Sequence, residues 1–462
     1  MHDHSRRPVL ALLAAVILVA SLAVGPSAAQ DTQYWSDGFG TQARLLGGIM
    51  IGSDQDISAV YYNPGGVALA DSLQFLISLN ALRYTSIGFS LSSAPAIPSS
   101  TGWSALSNMF GGTIPIGGRD SRNRLAYSIL TRQYFNFGAQ LRALPLDSFT
   151  PLPPPPGTVG IGNILVQQAL AESWIGITWA HATPSRWGYG ASLFTAVRNQ
   201  TWGQTASAQV VSGNGSTALA LREYDFSYTS WAMLLKLGVE YEAKNWSAGV
   251  TLTTPRLDLF GGADVGATKS YVDQGVVGPP GSSQIATSYQ DNLTTTYHSP
   301  LSVGFGYSYH WRNSQLNFST EWFNAVPEYT IIPGTPVTAQ SGSDTLTMQL
   351  TTQARALWNW GVGYQNHFAQ HWTMYAAYRT DLSSAPPGSQ PAGTIVNYDL
   401  YHANVGAQAI IGRASIILGL DIAWGSKDEI PIGQPPPGLP AVPTIDETFN
   451  SVTGAVGFKF TF

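Results

Sequence analysis

The chain has 462 residues, no cysteine, a formal net charge of −5, and only 11% charged residues against 11% aromatic, with 48 Gly and 14 Trp. No disulfide can form, so an exported protein of this length must be held by its sheet and core, and the lack of a basic surplus argues against nucleic acid as a partner. Mean hydropathy lies close to zero because apolar and polar residues are interleaved, which is how a membrane barrel escapes a hydropathy search.

Arg6 and Arg7 precede an apolar run from Val9 to Val24, followed by Pro26 and Ser27-Ala28-Ala29. That order of charged region, apolar region and small residues predicts a signal peptide over residues 1–29, cleaved before Gln30. Its loss removes two positive charges and one negative one, taking the net charge from −5 to about −6. No other apolar stretch approaches the roughly 20 residues of a membrane helix. The Ser5-Arg6-Arg7-Pro8-Val9-Leu10 stretch also looks like a twin-arginine signal. A barrel must cross the inner membrane unfolded, which points to the Sec route instead.

Residues 30–71 do not alternate. They carry Gly47-Gly48, Asp54, Asp56 and Tyr61-Tyr62-Asn63-Pro64-Gly65-Gly66, a polar, Gly-rich segment that could hang in the periplasm or fold into a lumen. A fourteen-strand barrel is too wide for its own side chains to fill, so a plug is expected, with Asn63, Pro64, Gly65, Asp54 and Asp56 as its gating residues.

From residue 72 to 462 the pattern has a period of two. Candidate strands lie near 73–88, 106–117, 124–137, 169–181, 187–209, 222–242, 246–260, 292–311, 315–331, 347–366, 371–383, 396–411, 414–426 and 449–462. Short polar turns such as Ala243-Lys244-Asn245 and Gly412-Arg413 alternate with long Pro/Gly/Ser-rich segments, as periplasmic turns and extracellular loops do in outer-membrane barrels. Fourteen is even, so both termini fall on the periplasmic side.

Between the first two strands, Trp103, Leu106, Met109 and Phe110 recur at helical spacing. They form either an apolar capture patch in the first loop or the start of the second strand. Leu301, Val303, Phe305, Tyr307, Tyr309 and Trp311 share one face of a strand, and Ser302, Gly304, Gly306 and Ser308 share the other. The small and polar face belongs to the lumen. A charge facing lipid at mid-bilayer costs about 2–4 kcal/mol for Arg or Lys, so Arg132, Lys236, Arg355, Arg379 and Lys459, with Glu240, Glu321, Asp381, His402 and Asp421, are expected to point inward. Those cations either receive an anionic head group or pair with the wall and plug acids. The histidines show no metal-ligand spacing, so neither metal nor cofactor is expected. The Leu152-Pro-Pro-Pro-Pro-Gly157 and Gln434-Pro-Pro-Pro-Gly438 runs are polyproline spacers or pore caps.

The chain ends in Thr453-Gly-Ala-Val-Gly-Phe-Lys-Phe-Thr-Phe462, with Val456, Phe458, Phe460 and Phe462 on one face. A terminal Phe on such a strand is the usual signal for the barrel-assembly machinery.

The stretch from Ala43 to Ala70, ending in Asn63-Pro64-Gly65, resembles the N-terminal plug of the FadL-type long-chain fatty-acid and hydrocarbon transporters, where Asn-Pro-Ala stands before the first strand. Gly65 replaces the usual Ala. The resemblance extends to 246–259, 299–307 and the C-terminal strand. It implies an all-β fold: a fourteen-strand antiparallel outer-membrane barrel with a lumenal plug, monomeric and in contact with lipid and lipopolysaccharide. It further implies a non-enzymatic uptake route in which loops capture a hydrophobic ligand and the wall releases it laterally. A plugged barrel serving secretion or acting as a surface scaffold is the alternative.

Overall fold

The computed structural model describes residues 32–462 except 54–55, 71–73, 92–96, 117–120, 146–158, 275–281, 343–344, 387–395 and 432–443. The signal-peptide expectation, Asp54 and both proline runs therefore fall wholly or mainly outside the described residues.

Three one-turn helices, α1 (Gln42–Leu45), α2 (Ala59–Tyr62) and α3 (Gly66–Leu69), come first. The strands follow: β1 (Gln74–Leu91), β2 (Ile97–Pro115), β3 (Asn123–Pro145), β4 (Val159–Ala182), β5 (Trp187–Val211), β6 (Thr217–Glu242), β7 (Trp246–Thr253), β8 (Leu257–Asp273), β9 (Ser282–Leu293) and β10 (Ser302–Trp311). The remainder are β11 (Ser314–Phe323), β12 (Val326–Pro333), β13 (Val337–Thr338), β14 (Thr345–Leu346), β15 (Gln349–Ala354), β16 (Leu357–Ala369), β17 (Trp372–Asp381), β18 (Leu400–Ile411), β19 (Ala414–Pro431) and β20 (Thr444–Thr461).

Fourteen strands close a ring in the order β1 to β7, β10, β11 and β16 to β20, with β20 paired antiparallel to β1. Closure pairs the first strand with the last, so neither is left as an edge of the sheet. The alternation is the one expected. Val303, Phe305, Tyr307, Tyr309 and Trp311 are exposed outward, while Ser302 and Ser308 are buried inside. In β20, Phe458 and Phe460 point out and Ala455 and Lys459 point in.

The loop end departs from the fourteen-segment reading. Segment 246–260 is two strands, because Pro255 lacks a donor and breaks the ladder. Above the break β8 pairs with β6 from Leu257 upward and carries β9 as an extra hairpin. Segments 315–331 and 347–366 each divide too, giving a separate β12–β15 ribbon. Trp103, Leu106, Met109 and Phe110 lie in β2, not on a helical loop. Trp103 pairs with Tyr84 and Leu106 with Asn80. Met109 is buried, whereas Phe110 packs edge-on against Phe75. Period two puts the neighbours Met109 and Phe110 on opposite faces.

Candidate functional site: a plugged lumen and its cavity

Residues 32–53 and 56–70 line the lumen, entering at the loop end and descending to the turn end. At the top, Thr32 Oγ1 donates to Val396 O at 3.2 Å and Gln33 Nε2 to Tyr398 O at 2.8 Å. At the bottom, Pro64 and Gly65 sit against the inner wall so closely that a Cβ at Gly190 would lie 2.1 Å from Pro64 O, and one at Gly188 would lie 2.3 Å from Gly65 O. Wall glycines are required here because backbone meets backbone.

Asn63 and Asp56 hold the plug together. Asn63 Nδ2 donates to Ile51 O at 2.7 Å and to Val239 O of the wall at 3.1 Å, and its Oδ1 accepts from Gly65 N at 3.1 Å. Asp56 Oδ2 accepts from Thr41 N, Thr41 Oγ1 and Gln42 N at 3.2, 2.8 and 3.1 Å. Its Oδ1 accepts from Ser58 N at 2.8 Å and from Ser58 Oγ. Burial pushes the Tyr61 hydroxyl up to about 12 and raises Tyr62 as well.

Of the expected lumenal cations, four meet the plug, Lys459 by donating from Nζ to Gln42 Oε1 at 3.3 Å. Arg132 Nη2 donates to Tyr34 O at 2.6 Å, and its guanidinium lies 5.9 Å from the Tyr61 ring. Lys236 Nζ stands 5.0 Å from the same ring. Arg379 donates to Gly47 O at 2.9 Å, Ser36 O at 3.1 Å and Asp421 Oδ2 at 3.1 Å. Arg355 is a correction: it lies between β15 and β16 with its side chain 40% exposed, 3.6 Å from Asp399 and donating to Ser383 O. The coil that breaks the strand there takes it off the inward parity.

Above the plug lies a cavity of about 90 Å³. Phe135, Leu170, Val396, Leu400, Ala423 and Phe449 give it an apolar wall; Gln33, Asp37, Arg83, His402 and Asp421 give it a polar floor. Arg83 ties three parts together. It pairs with Asp37 of the plug, and it donates from Nε to Thr453 Oγ1 at 3.2 Å and from Nη1 to Tyr134 O of β3 at 3.4 Å. Strict alternation misses Arg83, because an extra residue between Asn80 and Leu82 in the β1–β20 register flips the parity. Leu82 is consequently 50% exposed, and Ile87, of Arg83's parity, is fully buried. Arg198, fully buried on β5, is a further inward cation outside the expected set, although it shares the inward parity of Gly190 and Ser192.

At the cavity the wall is incomplete. β2 and β3 pair only from Met109↔Leu130 to Pro115↔Arg124. Above that, β3 stays paired to β4 up to Pro145, and β2 stays paired to β1 up to Ile97. The successive residues Tyr134, Phe135 and Asn136 all line the cavity, which places it against the side of β3 that has lost its partner. Among the described residues, no group of three or more His, Cys, Asp or Glu is placed to hold a metal, and no helix is long and apolar enough to cross a membrane.

These features define a closed fourteen-strand barrel of the outer-membrane type with an occupied lumen. The chain has the fold of the FadL- and TodX-like channels. It is similar to the Ralstonia pickettii toluene transporter TbuX, at TM-score 0.56 and 14% identity over 92% of this chain and 99% of that one. The P. putida toluene transporter TodX aligns at TM-score 0.55 and 13% identity over 92% and 99% of the two chains. A Pseudomonas aeruginosa FadL homologue aligns at 0.53 and 12% over 95% and 99%. No protein-family model and no curated protein matches the chain.

Proposed function

We propose that the chain is an outer-membrane uptake channel for hydrophobic small molecules such as long-chain fatty acids or hydrocarbons, a member of the FadL-type family rather than an enzyme. Residues 1–29 are its signal peptide, 30–71 its plug and 72–462 the barrel. It sits as a monomer among lipid and lipopolysaccharide after insertion by the barrel-assembly machinery. Ligand is captured among the loops, rests in the cavity above the plug, and leaves sideways between β2 and β3.

The carrying observation is the cavity itself, apolar on one side and adjoining a length of β3 that is not paired to β2. A chain that avoids water gains about 0.8 kcal/mol per CH₂, so a lateral path suits it better than one through the plug. A secretion or scaffold role would give no reason for an apolar chamber at that place.

The test is paired proteoliposome uptake of a fluorescent fatty acid and a polar dye, with wild type and Ala423→Phe, which fills the cavity. Fatty-acid uptake is expected in wild type and a severalfold loss in the variant, with dye excluded from both. Unimpaired uptake in Ala423→Phe would remove the cavity from the path, and free passage of the dye in wild type would overturn the plug reading.

A further inference from the structure

The wall is interrupted a second time, five strands further round the ring from the β2–β3 seam. β7 stops at Thr253 and β8 resumes at Leu257, while the facing β10 begins only at Ser302. Leu257–Gly262 therefore face residues 294–301 with no backbone–backbone hydrogen bond between them among the described residues. Side chains close the seam. Tyr297 N donates to Asp258 Oδ2 at 2.9 Å, and Arg256 N donates to Ser299 Oγ at 3.0 Å. The backbone of 294–301 is bonded to the other side instead: Thr296 N donates to Ile331 O at 3.2 Å, and Asn324 N to Leu301 O at 2.9 Å.

Immediately behind the seam, two guanidiniums lie over the buried Tyr297 ring, that of Arg198 at 4.1 Å and that of Arg256 at 4.9 Å from its centroid. Arg198 is fully used, donating to Tyr228 Oη, Gln133 Oε1, Glu172 Oε2 and Gln200 Oε1. Arg256 is not. Its side chain is 1% exposed and makes one hydrogen bond, Nη2 to Ser230 Oγ at 2.9 Å. It is ion-paired through Nε with Asp258 Oδ1 at 3.3 Å and through Nη1 with Glu172 Oε2 at 4.0 Å, but neither pair has hydrogen-bond geometry. In front of the seam, Leu257, Leu259 and Phe260 are 68%, 47% and 64% exposed.

We propose that this seam is a second lateral portal, admitting from the surrounding lipid an amphiphile that ends in a carboxylate, with Arg256 receiving the head group and Tyr297 serving as the closure. The proposal rests on the uptake reading above, adds an entry route to it and, of the ligands named there, selects for that route the ones that end in a carboxylate. Opening the seam breaks two side-chain bonds and leaves every strand ladder intact. A buried guanidinium with two nitrogens outside hydrogen-bond geometry gains most from a planar two-oxygen acceptor, which it can bind in fork geometry. Apolar lips hold the tail while the head passes inward, and the cation–π contacts draw Tyr297 back once the ligand has moved on. An uncharged hydrocarbon offers Arg256 nothing and gains no advantage from this route.

The full-length protein in lipid vesicles is photolabelled with a diazirine fatty acid and, separately, with a diazirine alkane. Adducts of the fatty acid are expected within 257–262 and 294–301. The alkane should label these no more than the outward face of β19 at Ile416 and Leu418. Arg256→Gln should lower the fatty-acid adducts at the seam about tenfold, Arg256→Lys should restore part of them, and Tyr297→Ala should speed uptake of a fluorescent fatty acid. Equal seam labelling by both probes, or unchanged labelling in Arg256→Gln, overturns the proposal. So does a rise in alkane labelling in Arg256→Gln, since that marks Arg256 as purely structural. Seam labelling by the fatty acid in a wild type that takes up nothing would sink the uptake reading alone and leave the seam a binding site.

Discussion

The two halves of this barrel solve different packing problems. At the turn end every neighbouring pair of strands is laddered, and wall glycines let the plug backbone press directly onto the sheet. At the loop end the ladders fail at two places, and side chains such as Arg83 and Asp258 take over from backbone bonds. A ladder opens only when many bonds break together, whereas a side-chain contact worth about 1 kcal/mol opens singly. Under the proposed function, the turn end seals the lumen while the loop end admits a ligand.

The sharpest way to break that contrast is to spoil the close fit at the turn end. Gly190→Val puts a branched side chain where even a Cβ would sit 2.1 Å from Pro64 O, and overpacking of this kind costs about 1–3 kcal/mol or more. The barrel should still fold and migrate as a heat-modifiable band, but planar-bilayer recordings should change from closed to conducting. A silent channel would mean that the seal lies elsewhere.

Next in size is Asp56→Ala, which leaves three backbone N–H groups and two hydroxyls of the plug without their shared acceptor. Bonds to a charged group are worth about 1.5–3 kcal/mol each and are not additive, so a loss of about 3 kcal/mol confined to the plug is expected. Proteolysis within 32–70 should accelerate while the β-barrel signal in circular dichroism stays unchanged. A lower melting temperature of the whole barrel would show that plug and wall are one cooperative unit.

The double change Asn63→Ala with Pro64→Ala removes the bonds to Ile51 O and Val239 O and should cost about 2 kcal/mol. Reduced fatty-acid uptake is expected together with modest leakage of a polar dye. Wild-type behaviour in both assays would leave the motif without a gating part.

Arg83→Gln is the mildest probe and the one that addresses the loop end. The ion pair with Asp37 is partly buried and worth about 1 kcal/mol, so hydrogen exchange at 33–37 should rise a fewfold while the bottom of the plug, 59–69, is unaffected. Equal acceleration in both stretches would erase the distinction between the two ends.

The fold class was legible in the sequence because it depends on a local period: residues two apart share a face wherever a strand runs. The lumenal placement of Arg132, Lys236, Arg379, His402 and Asp421 follows from the same parity, and so does the outward set from Val303 to Trp311. Neither register shifts nor missing pairings can be read from a period. The extra residue between Asn80 and Leu82 that turns Arg83 inward, the unpaired length of β3, and the approach of residues 294–301 to β8 all depend on which strands meet and in what register. That is decided by contacts between segments far apart in the chain. The sequence by itself determined a barrel wall with an inside, an outside and a glycine-rich segment to fill it. Only the tertiary structure decided where that wall is open and that Tyr297 meets two arginines, because a gap is a property of neighbouring strands and belongs to no single one of them.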